Sequence, residues 1–100
     1  MRLKVLIGTL NARPQSLAFQ CDNGVKNITG SIAGDTLLDI MDFHRIKGSQ
    51  EYGFQALLPE VERLLNAKSE SRKFEPNGEL AIRTADLLRY GFRERDKSAA

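Results

Sequence analysis

One hundred residues suit a single domain and are too few for two ordinary hydrophobic cores. With 41% apolar and 28% charged side chains the composition is globular, and a net charge of +2 lacks the dense basic stripe of a protein that grips phosphate backbones. The lone Cys21 leaves no intramolecular disulfide and suits a reducing, cytoplasmic compartment, while no stretch approaches the ~18 apolar residues of a membrane span.

Leu3, Val5 and Ile7 alternate with Lys4, as a half-buried strand over residues 3–7 should. The apolar run after Arg2 superficially resembles a signal peptide. It is very short, and Arg13 follows without a small-residue cleavage site, so the strand is the better reading. Residues 11–15, with Pro14, read as a loop. Strands follow over 16–21 and 25–32, joined at Asn23-Gly24, the preferred pair for a two-residue hairpin turn. That turn would set Phe19 opposite Ile28. Gly30 inside the second of these strands marks a bulge or a close backbone approach.

Residues 35–44 read as a helix with Leu37, Leu38, Ile40 and Met41 on one arc and Asp35, Asp39 and Asp42 on the other. Gly48 and Ser49 would end it. From 50 to 68 the apolar positions Phe54, Leu57, Leu58, Val61, Leu64 and Leu65 form one stripe. The stripe keeps its phase through Pro59, which favours one kinked helix. The alternative starts a second helix with Pro59 at its first position, where Glu60 and Glu62 suit the dipole.

Residues 69–73 are a polar linker, Pro76-Asn77-Gly78 a turn, 80–83 a strand and 85–90 a helical turn. The expected fold is α+β, in the order β-β-β-α-α-β: a small, mainly antiparallel sheet packed by two helices. It would occupy residues 1–93 as one domain, with 94–100 a disordered tail. The expected core contains Phe19, Ile28, Leu37, Met41, Leu57, Val61, Leu64 and Ile82.

Three segments together carry a resemblance: 32–37, running Ile-Ala-Gly-Asp-Thr-Leu; 58–68, with Val61-Glu62; and 77–87, closing on Asp86-Leu87. Over roughly Leu17 to Leu88 the chain resembles the bacterial small-protein family known as domain of unknown function fourteen-eighty-eight. The resemblance implies a small α+β fold and brings no activity or site. The chain departs from the pattern at Ala33, where the family tends to place a capping Ser or Thr, leaving the cap to Gly34 or Asp35. Residues 43–52 are also longer than usual for it.

Candidate chemistry is sparse. The three aspartates leave from one helix face without the loop carbonyls of a calcium site, so a solvated acidic face is the simpler account. Cys21 and His44 are the sole thiol and imidazole, and an enzyme built on them would need the two within hydrogen-bond reach. No metal or cofactor is expected. The segment with Arg83, Arg89, Tyr90, Phe92 and Arg93 mixes cations with rings and is the expected binding surface, alongside an edge strand. The leading expectation is a non-enzymatic interaction or regulatory module, as a homodimer or with a protein partner. The alternative is a weak nucleic-acid binder using Arg89, Arg93, Arg95 and Lys97.

Overall fold

Alternation at Leu17, Phe19 and Cys21 sets the centre of the sheet, since all three point to the same buried face. A computed structural model describes residues 2–91, built as β1 (Lys4–Ala12), β2 (Ser16–Asp22), β3 (Asn27–Ala33), α1 (Gly34–His44), α2 (Gln50–Ala56), α3 (Leu58–Glu70), β4 (Leu80–Ile82) and α4 (Thr84–Tyr90). The sheet order is β1-β2-β3-β4, with two antiparallel ladders and a parallel one between β3 and β4. The fold is therefore α+β. The expected tail, with Phe92 and Arg93, lies outside the described residues.

The hairpin register differs from the expectation by two residues. Phe19 faces Gly30, and Cys21 faces Ile28. Asn23-Gly24 is not a two-residue turn, because side chains lengthen the loop. Asp22 Oδ1 accepts from Gly24 N at 2.8 Å, and Asn23 Oδ1 accepts from Val25 N and Lys26 N at 2.8 and 2.9 Å. A shift of two keeps every side chain on its face, so the core is unaffected. Gly30 is a close approach: a Cβ there would stand 2.5 Å from Phe19 Cε1. β1 runs to Ala12, beyond the expected loop boundary, through an irregularity between Leu6 and Asn11. Thr9 Oγ1 bridges it, donating to Leu6 O at 2.5 Å and accepting from Gln20 N at 2.8 Å.

Leu37, Ile40 and Met41 of α1 and Val61, Leu64 and Leu65 of α3 join the same buried cluster as β2, β3 and β4. Each fully buried aliphatic contributes about 1.5–3 kcal/mol relative to exposure. Phe54 of α2 meets Phe19 at 4.9 Å between ring centroids. Of the expected core only Ile28 is half-buried rather than buried.

The single kinked helix is replaced by two abutting ones. Leu57, with φ −107° and ψ 21°, separates α2 from α3, and Pro59 sits in the first turn of α3. Pro59 lacks the N–H a continuous helix would need, and the first turn is where that loss is free. The apolar seam survives the break, with Leu57 and Leu64 both buried. α1 ends at Arg45, in the left-handed region at φ 59°, earlier than Gly48. Ala33 itself is its N-cap without a side-chain bond; Gly34 N donates instead to Gln15 O at 2.9 Å.

Candidate functional site

Cys21 is fully buried, and desolvation, with Glu62 nearby, pushes its thiol up to about 12. Such a thiol stays protonated at neutral pH and is a poor nucleophile. The His44 ring meets Phe43 edge-on at 5.1 Å, and its Nε2 is buried with no hydrogen-bond partner among the described residues. The Cys–His arrangement thus lacks the accessible thiolate that catalysis requires. Asp35, Asp39 and Asp42 are all exposed.

The edges of the sheet are partly closed by α3. Asn66, 8% exposed, acts as a surrogate strand residue: its Oδ1 accepts from Leu3 N at 2.7 Å and its Nδ2 donates to Leu3 O at 3.3 Å. Glu62 Oε2 accepts from Val5 N at 2.9 Å. At β4, Lys68 Nζ donates to Ala81 O and to Asp86 Oδ2, the latter at 2.8 Å. Asp86 Oδ2 also accepts from Arg83 N at 2.8 Å, opening α4. These bonds occupy backbone groups that an added strand would otherwise seek.

The expected binding residues separate into different environments. Arg83 is exposed but ion-paired to Glu75 at 2.7 Å, and that bond holds the Glu75 carboxyl below its usual range. Tyr90 packs against the core, and Arg63 donates to Tyr90 O and Gly91 O at 3.2 and 2.6 Å. Its ring therefore serves packing, with the hydroxyl buried and unpartnered among the described residues. Arg89 is exposed and lines a groove of about 750 Å³ with Lys68, Lys73, Phe74, Asp86 and Leu88.

Sequence reasoning named Arg89 here and missed Lys73, Phe74 and Leu88. Leu88 is 85% exposed, the most exposed large apolar side chain among the described residues. No sequence signal separates Leu87 from Leu88, because adjacent helical residues can both be buried, as Leu64 and Leu65 are. A second groove, about 290 Å³, lies on the sheet face opposite the helices, around Arg13, Ser31, Glu79 and Ala81. Glu79 Oε2 closes over it, accepting from Ser31 Oγ at 2.8 Å and Arg13 Nη1 at 3.3 Å. Among the described residues no helix is long and apolar enough to cross a membrane, and no group of three or more His, Cys, Asp or Glu side chains is placed to hold a metal ion. In comparisons with known proteins, no family model, no curated protein and no solved structure matches the chain.

Proposed function

We propose that the chain is a non-enzymatic interaction or regulatory module of the cytoplasm whose contact surface is the outer face of α4 and the groove beside it. The observation that supports this reading is Leu88, left 85% in water, lining one groove with Phe74, itself 38% exposed. Exposed apolar groups gathered on one polar-rimmed patch, rather than scattered singly, are what a contact site presents. The buried thiol and the partly closed sheet edges support it further, since they remove competing explanations for where the molecule acts. Kinship with the bacterial family resembled in sequence remains part of the proposal, resting on the three segments quoted above.

A displayed peptide library selected on the immobilised chain tests the reading. Selected peptides should lose binding to Leu88→Asp, which alters an exposed site and spares the fold. Peptides that bind this variant as well as the parent chain would refute the assignment. A second reading, single-strand nucleic-acid binding, draws support from Phe74 lining one groove with Lys73 and Arg89.

A further inference from the structure

The outer face of α4 carries Ala85, Leu88 and Arg89 at i, i+3 and i+4, so apolar and basic groups stand side by side. Lys73 and Phe74, from the segment before β4, line the same groove. The third cation there is already spent: Lys68 is 6% exposed and paired to Asp86. Lys73 and Arg89 have no ion-pair partner among the described residues. Two exposed cations and two exposed apolar side chains thus line one groove.

We propose that this groove docks an acidic amphipathic segment of another protein, with an apolar side chain between Phe74 and Leu88 and carboxylates against Lys73 and Arg89. The inference rests on the interaction-module reading and adds the chemistry of the partner. Charge complementarity carries it. A second copy is a poorer occupant, because two-fold pairing sets the patch against itself and adds two more cations without bringing free carboxylates to meet them. Nucleic acid is a poorer fit as well. Phe74 is the single ring lining the groove among the described residues, Leu88 offers none, and the Tyr90 ring is engaged with the core, so successive bases lack a stacking platform.

The test titrates the full chain into two labelled synthetic helices read by fluorescence anisotropy. One has a leucine–phenylalanine stripe flanked by glutamates; its twin has lysine at every glutamate. The acidic helix should bind and weaken about tenfold or more between about 0.05 and 0.5 M salt, as screening of exposed charges requires. Leu88→Asp should abolish binding, and Lys73→Glu with Arg89→Glu should transfer the preference to the lysine twin. These sites are exposed, so unchanged thermal melting should accompany each variant. Equal binding of the twins would overturn the charge complementarity and leave the module reading intact. So would failure of both helices while library-selected peptides still require Leu88. Displacement of the acidic helix by a thymidine oligonucleotide that itself binds more tightly would replace the protein partner with a nucleic acid. Binding undiminished by Leu88→Asp would remove the groove from both readings.

Discussion

Gly30 and Cys21 show how little room single positions leave inside this sheet. A Cβ at Gly30 would meet the Phe19 ring, itself held against Phe54, so Gly30→Ala should cost about 1–3 kcal/mol as an overpacked core does. Chemical denaturation checks this; a neutral change would mean the ring has space to move. Cys21 makes a prediction about pH. Its thiol rises from 9.0 to about 12 in the folded chain, so the unfolded chain releases that proton first. Stability from this group is present below pH 9.0 and is lost as pH rises toward about 12. Cys21→Ala should remove up to about 1.4 kcal/mol per pH unit from the slope in that window, the value for one proton. An identical slope in the parent chain and variant would contradict the burial of the thiol.

At the scale of elements, α3 is the organising helix. Its apolar seam faces the sheet while Asn66 and Glu62 reach β1 and Lys68 reaches β4. Asp86→Ala would leave the buried Lys68 charge without its counter-ion, which should destabilise by about 3–5 kcal/mol. Asn66→Ala would strip the partner from a buried amide at Leu3, and a loss of about 1–3 kcal/mol is expected. Amide exchange at Leu3 should accelerate in that variant; unchanged exchange would mean the amide finds another acceptor. The seam itself was legible in the sequence, because Val61, Leu64 and Leu65 repeat with helical spacing. The polar ties were not. Lys68 and Asp86 are 18 residues apart, and only the folded path brings a cation on one helix to a carboxylate on another. The hairpin register was missed for a related reason: Asn-Gly signals a turn, but the amides captured by Asp22 and Asn23 decide its length. Pro59 was compatible with either a kink or a new helix start. Packing of Phe54 against Phe19 accompanies the break at Leu57.

For the whole molecule, the helices cover one face of a mixed sheet, and α4 is docked onto α3 through Arg63 and onto β4 through Asp86 and Lys68. That leaves α4 with one buried face, at Asp86 and Leu87, and one outward face, at Leu88 and Arg89. Of this surface, the sequence pointed to Arg89; the contribution of residues 73 and 74 depends on how the segment before β4 returns to the helix. Because Lys73 and Arg89 border this surface, like charges oppose self-pairing through it, and light scattering at about 0.1 mM should show no dimer formed by this face. A dimer lost on Leu88→Asp would favour a second copy as the occupant.

Backbone amide chemical-shift mapping of the labelled chain with the glutamate-flanked helix addresses the contact surface most directly. Perturbations should concentrate at Lys73, Phe74, Ala85, Leu88 and Arg89. Perturbations gathered instead around Arg13, Ser31 and Glu79, on the opposite face of the sheet, would contradict this placement.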